Sequence, residues 1–184
     1  MTMPERLTTI LETERLLFRR LVLADLDALF ALYRDKETRQ YFPDGTDGTL
    51  TFDETKEEIE WFLNGHPDHP ELSLWATIHK ATQQFIGRCG LLPWTIEGRA
   101  EVEVAYLLDK RYWRQGLGTE AAQALLQYGF ERLHLPRLIC MVHPDNQASA
   151  KVARNIGMSL EKEMVDDAGP FLLFSINKQP EEAG

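Results

Sequence analysis

Hydrophobic and polar positions along the chain follow two periods, and the switches between them divide it into strands and helices. Glu101-Val102-Glu103-Val104-Ala105-Tyr106-Leu107-Leu108 begins with strict polar/apolar alternation and then turns apolar on both faces, which predicts a strand entering a core. Thr119 to Leu133 instead sets Ala122, Leu125, Leu126, Gly129, Phe130 and Leu133 at helical spacing, with Ala and Gln filling much of the rest. Trp113-Arg114-Gln115-Gly116-Leu117-Gly118 lies between the two. Beyond the helix, Arg137 to Val142 predicts a second apolar strand, ended by the turn chemistry of His143-Pro144-Asp145-Asn146. Asn146 to Met158 predicts a short helix with Gly157 as its left-handed C-cap.

The same reading extends over the rest of the chain. Arg15 to Val22 predicts a first strand, and Ala24 to Tyr33 a helix capped by Asp25, with Leu26, Leu29, Phe30 and Tyr33 on one face. Asp35 to Leu50 is polar and turn-rich, with Asp44-Gly45 and Asp47-Gly48. Thr51-Phe52-Asp53-Glu54 reads as the cap of a helix that runs to about Leu63 and ends at Asn64-Gly65. Leu72 to His79 and Gln84 to Leu92 form a hairpin through Ala81-Thr82-Gln83, with Pro93 expected to stop the second strand and Glu97-Gly98 to turn into the central one. Leu160 to Val165 and Phe171 to Ile176 complete the set. The sum is an α+β fold, a mixed and largely antiparallel sheet of about seven strands flanked by about four helices.

A chain of 184 residues with 43% hydrophobic content fits one domain, placed at residues 10–178 with tails at 1–9 and 179–184. No apolar run reaches membrane-spanning length and Met1 to Arg6 lacks a signal-peptide pattern, so the expected location is cytoplasmic with no membrane contact. Cys89 and Cys140 both sit in apolar strand contexts and read as buried thiols. His66 and His69 flank Pro67-Asp68 in a loop and face solvent, and no metal site is expected. A net charge of −9 argues against direct nucleic-acid binding, which needs a basic surface. It suits a cationic acceptor, or serves only solubility.

Strand, glycine turn and helix together favour a bound anion, because glycines uncover the loop amides and the helix dipole adds positive potential. No Lys-Ser/Thr follows the second glycine, as a Walker loop requires, and the third glycine of a dinucleotide fingerprint is missing. On these residues alone, a tight strand-to-helix connection is an equal reading.

Further motifs narrow the choice. Gly116 and Gly118 match the Arg/Gln-x-x-Gly-x-Gly/Ala pyrophosphate loop of the GNAT N-acetyltransferase superfamily, with Trp113 in place of the first Arg or Gln. Asn146-x-x-Ser149-x-x-Val152 with Gly157-Met158 resembles the family's next motif, and Thr13-Glu14-Arg15-Leu16-Leu17-Phe18-Arg19 the opening of its RimJ/RimL-like branch. The resemblance runs from about Ile10 to Asn177.

It implies a three-layer fold whose central strand splays from the next, admitting the pantetheine arm of acetyl-CoA as cosubstrate. In this resemblance Leu107 and Leu108 offer backbone groups to that arm. Arg114, Gln115, Gly116, Leu117, Gly118 and Thr119 hold the pyrophosphate, and Asn146 bonds the pantetheine amides or caps its helix. Glu103 is the candidate base, unless it shares a solvated face with Glu101. An amide near Leu108 polarises the thioester, and Ser149 is the proton donor to the leaving thiolate or a small residue beside the cofactor, since the last helix lacks the family's usual tyrosine. Tyr41, Phe42 and Trp61 are candidates to line the acceptor site, with core packing the favoured reading for Trp61. The expected activity is acetylation of a protein N-terminal α-amine by a monomer or homodimer. The alternatives are a small amine such as a polyamine, amino sugar or amino acid, and CoA binding without turnover.

Overall fold

The computed structural model describes residues 8–42 and 49–179. Strands β1 (Thr9–Glu12), β2 (Leu16–Arg20), β3 (Ser73–His79), β4 (Gln84–Ile96), β5 (Arg99–Leu108), β6 (Arg137–Val142), β7 (Ser159–Asp166) and β8 (Gly169–Asn177) form one sheet, in the spatial order β1-β2-β3-β4-β5-β6-β8-β7. Every neighbouring pair is antiparallel except β5 and β6. The described helices are α1 (Leu26–Tyr33), α2 (Lys36–Arg39), α3 (Phe52–Phe62), α4 (Leu117–Glu131) and α5 (Gln147–Asn155).

The alternation of β5 assigns the helices to two layers. Val104 and Leu108 pack with Ala122 and Leu125 of α4 and Ala150 and Ala153 of α5. Leu107, on the opposite face, packs with Leu29 and Tyr33 of α1 and Ile59 of α3. The sheet is thus covered on both sides where the central strands lie.

The sheet has eight strands where about seven were expected, and five helices where about four were. The extra strand, β1, pairs with β2 across a turn at Thr13, whose amide donates to the Leu16 carbonyl at 2.8 Å. The helix expected from Ala24 begins only at Leu26, because Asp25 serves a preceding 3-10 turn, accepting from the Val22 amide at 3.0 Å and pairing with Arg19 at 2.7 Å. α2 forms inside the stretch read as turns, with Asp35 accepting from the Thr38 amide at 2.8 Å, while Asp44-Gly45 and Asp47-Gly48 lie outside the described residues.

Pro93 does not end β4, which continues to Ile96 with Pro93 opposite Val102. The Asp109 amide donates to the Ile86 carbonyl, so Ile86 and alternate residues after it face β5, while Pro93 faces the β3 side. The β3 pairing has already ended at Ser73 opposite Leu91, so the missing N–H costs no ladder bond.

Candidate active site

The turn into α4 leaves its first amides available. Gly116 is the N-cap in a left-handed conformation at φ +79°, and the first intrahelical bond runs from the Glu120 amide to the Gly116 carbonyl at 3.0 Å. The amides of Leu117, Gly118 and Thr119 precede that bond and have no intrahelical acceptor. A Cβ added at Gly116 would have only Arg15 Nη2 within reach, at 3.5 Å, and one at Gly118 would touch Val152 at an ordinary 3.8 Å. Thr119 stands in the first turn and not at its start, because α4 begins two residues earlier than its apolar spacing suggested. Arg114 is exposed at φ +60°, whereas the Gln115 side chain is turned back onto the Arg111 carbonyl at 3.0 Å. Trp113 earns its place by geometry: its indole donates to the Leu108 carbonyl at 2.8 Å and ties the loop to the end of β5.

β5 and β6 share a single bridge, Glu103 opposite Ile139, and part beyond it. Because Asp109 directs its amide at β4, so does Leu107, two residues before it, while Tyr106 and Leu108 direct their backbone groups at the gap. The edge expected from Leu107 and Leu108 is therefore formed by Tyr106 and Leu108. Trp113 takes the Leu108 carbonyl, which leaves the Leu108 amide facing the gap beside the backbone groups of Tyr106. Cys140, a buried thiol, reaches across to the Val104 carbonyl at 3.3 Å.

On the far side of the gap stands the first turn of α5. Asn146 is its N-cap, with Oδ1 accepting from the Ser149 amide at 3.1 Å, which leaves the side-chain nitrogen as a donor. Ser149 is half-buried, and its carbonyl accepts from the Tyr106 hydroxyl at 3.4 Å. Burial pushes the Tyr106 phenol up, so it stays protonated. Tyr106 is a group the sequence reading missed, because its strand position marks it only as core.

Glu103 lies where the strands part, on the face toward α1 and α3. Its carboxylate accepts from the Trp94 indole at 2.8 Å and from the Met141 amide at 3.4 Å, spanning β4, β5 and β6. Burial pushes its pKa up to about 7, against the lowering effects of the Trp94 and Met141 bonds and the Arg88 charge. A carboxylate titrating there exchanges protons near neutral pH. Glu101 behaves differently. It is 6% exposed and its two oxygens meet Arg137 Nε at 3.1 Å, with Arg137 also on Glu161. The solvated face considered for Glu101 and Glu103 is therefore not present.

Around Glu103's face, Tyr33, Arg39, Phe42, Glu58 and Arg88 form a packed polar and aromatic cluster. Arg39 lies 4.7 Å over the Tyr33 ring and 5.0 Å over Phe42, and Arg88 pairs with Glu58 at 3.2 Å. Tyr41 packs against His143 at the end of β6, with ring centroids 5.4 Å apart. Trp61 departs from the favoured reading of core packing, being 55% exposed and packed edge-on against His66. No described helix is long and apolar enough to cross a membrane.

Comparison with known proteins gives this geometry a family. Residues 15–159 match the family described as Acetyltransferase (GNAT) domain. The chain is 32% identical over 155 residues to "Uncharacterized protein YkkB" of Bacillus subtilis, covering 84% of this chain and 87% of the relative. It is 33% identical over 154 residues to "Uncharacterized N-acetyltransferase p20" of Bacillus licheniformis, covering 82% and 83%. A shorter stretch of 72 residues, 39% of this chain and 38% of the relative, is 31% identical to a spermidine N(1)-acetyltransferase of Escherichia coli. Among solved structures, the RimL ribosomal L7/L12 α-N-protein acetyltransferase in complex with coenzyme A superposes with a TM-score of 0.72 at 18% identity, over 92% of this chain and 98% of that one. Splayed strands, an open glycine loop and these matches lead to one conclusion: the chain belongs to the GNAT acetyltransferase family and transfers an acetyl group from acetyl-CoA to an amine.

Proposed function

We propose that the acceptor is the N-terminal α-amine of a protein, and that Glu103 takes the proton which the amine must lose. The observation that carries this reading is the match of proton affinities. Glu103 titrates at about 7, close to an α-amine at roughly 7.7–8.0 but more than three units below a lysine or polyamine at roughly 10.4. Proton transfer from an α-ammonium to Glu103 is therefore slightly uphill, and from a lysine ammonium steeply so.

In the proposed reaction the neutral amine attacks the thioester carbonyl carbon, a C–N bond forms and the C–S bond breaks. The Leu108 amide stabilises the carbonyl oxygen as it gains charge. The ammonium's first proton leaves through Glu103 to solvent before attack, and as the C–S bond breaks the Ser149 hydroxyl passes a proton to the departing thiolate while taking up the second proton lost from the attacking nitrogen, so that Ser149 ends protonated. Arg114 to Thr119 hold the pyrophosphate, Asn146 bonds the pantetheine, and Tyr41 and Phe42 line the acceptor side. Residues 10–178 act as one domain, in the cytoplasm.

The matched stretch of the spermidine acetyltransferase and the net charge of −9 favour a second reading, a small polycationic amine. A panel decides between them: a peptide with a free α-amine, the same peptide N-blocked but with a free lysine, and spermidine, each assayed with acetyl-CoA. The proposal expects the first to have the highest kcat/KM. A preference for spermidine supports the second reading, and CoA binding without turnover on any amine overturns both.

A further inference from the structure

The turn between β1 and β2 is bonded to the start of α4, more than a hundred positions away in sequence. Thr13 Oγ1 donates to Glu120 Oε1 at 2.5 Å, and the Arg15 amide donates to the same oxygen at 2.9 Å. Arg15 Nε donates to Glu120 Oε2 at 2.6 Å, and Arg15 Nη1 to the Gln115 carbonyl at 2.8 Å. One guanidinium thus joins the first turn of α4 to the peptide just before its N-cap. Although burial raises the Glu120 carboxyl, the bonds from Thr13 and Arg15 outweigh it and hold the group below the usual carboxylate range, so Arg15 faces a full negative charge.

The position of the gripped carbonyl matters. In a trans peptide the carbonyl and the following amide point in opposite directions, and the described residues contain no cis peptide. Holding the Gln115 carbonyl on Arg15's side therefore fixes the Gly116 amide on the other. A glycine at φ +79° has wide freedom to rotate about this point, so without the grip the loop amides would sample many directions.

We propose that Arg15, held in place by Glu120 and Thr13, is a positioning residue for cosubstrate binding: it pre-sets the Gln115-Gly116 peptide so that the loop amides converge on the pyrophosphate of acetyl-CoA. The role is geometric. The fork of a guanidinium bonds Glu120 and Gln115 at once, which the single ammonium of lysine does not reproduce. This inference rests on acetyl-CoA binding and is independent of which amine is acetylated.

The test compares CoA with pantetheine, which has the same arm but no pyrophosphate, by measuring the Kd of each for the full chain. Arg15→Gln is expected to weaken CoA about tenfold while the pantetheine Kd changes less than about twofold, so that the preference for CoA falls about tenfold. Arg15→Lys is expected not to restore it. An equal loss for both ligands would make the contact merely structural, an unchanged preference would remove the role, and full recovery with lysine would mean that charge alone suffices; each overturns the proposal. If Arg15→Gln does not fold, Glu120→Gln replaces it. That variant keeps an oxygen for Thr13 and removes the charged partner of Arg15 Nε, and a loss of CoA preference of about threefold is expected, with no loss overturning the proposal.

Discussion

Trp94 on β4 donates its indole N–H to Glu103 on β5 at 2.8 Å, although the indole itself is 45% exposed. The donor bonds the charged form of the carboxyl, opposing the upward push of burial. Trp94→Phe keeps an aromatic ring and removes the donor. The rise of kcat/KM with pH is expected to move up by about one unit, since loss of one bond to a charged acceptor is worth about 1.4 kcal/mol here. A pH–rate profile of the variant checks it.

The same carboxyl has a consequence for stability. Its folded pKa of about 7 lies above the unfolded value of roughly 4.3, so the native state binds the proton more tightly. Stability from this group is present below about pH 4 and is lost as pH rises through 7, leaving a deficit of about 3–4 kcal/mol above that pH. Glu103→Gln is therefore expected to be more stable than wild type at pH 8 and equal to it near pH 4, by urea denaturation at both values.

The two glycines of the loop are unequal. Gly116→Ala places a Cβ at φ +79° and is expected to cost about 1–2 kcal/mol of stability, whereas Gly118→Ala meets only an ordinary 3.8 Å contact in a helical turn and is expected to cost nothing measurable. Thermal denaturation of the two variants separates them. CoA titration should show the larger loss for Gly116→Ala.

Ser149 and Tyr106 face each other across the gap, with the phenol on the Ser149 carbonyl. Ser149→Ala is expected to slow single-turnover transfer by about 10²-fold or less, with a smaller change in acetyl-CoA affinity. If Ser149→Ala transfers at the wild-type rate and Tyr106→Phe does not, the phenol is the donor to the leaving thiolate.

Legibility in the sequence followed the range of the interactions. β5, the glycine loop, α4, β6 and α5 were readable because alternation, helical spacing and the Gly116, Asn146 and Gly157 signals are local. α2, at four residues from Lys36 to Arg39, is too short to show a period. β1 is equally short and depends on pairing with β2. Pro93 misled because a proline's cost depends on which neighbour its nitrogen faces, a property of the whole sheet. Within the site, Glu103 and Asn146 could be named from motif position. Tyr106 and the bonds of Thr13 and Arg15 to Glu120 could not, since those contacts join segments distant in sequence, and Trp94 could not because its bond to Glu103, nine residues on, depends on the register of the β4–β5 hairpin.

Acceptance of the α-amine proton by Glu103 is the step on which the proposed function rests. It is tested most directly by the pH dependence of kcat/KM for wild type and Glu103→Gln, with acetyl-CoA and a peptide bearing a free α-amine, the acetyl group being located by mass spectrometry. Wild-type activity is expected to rise through about pH 7, and the variant to be roughly 10²-fold slower there and to recover much of the loss above pH 9, where the amine is already neutral. A variant with the wild-type profile and rate would contradict it.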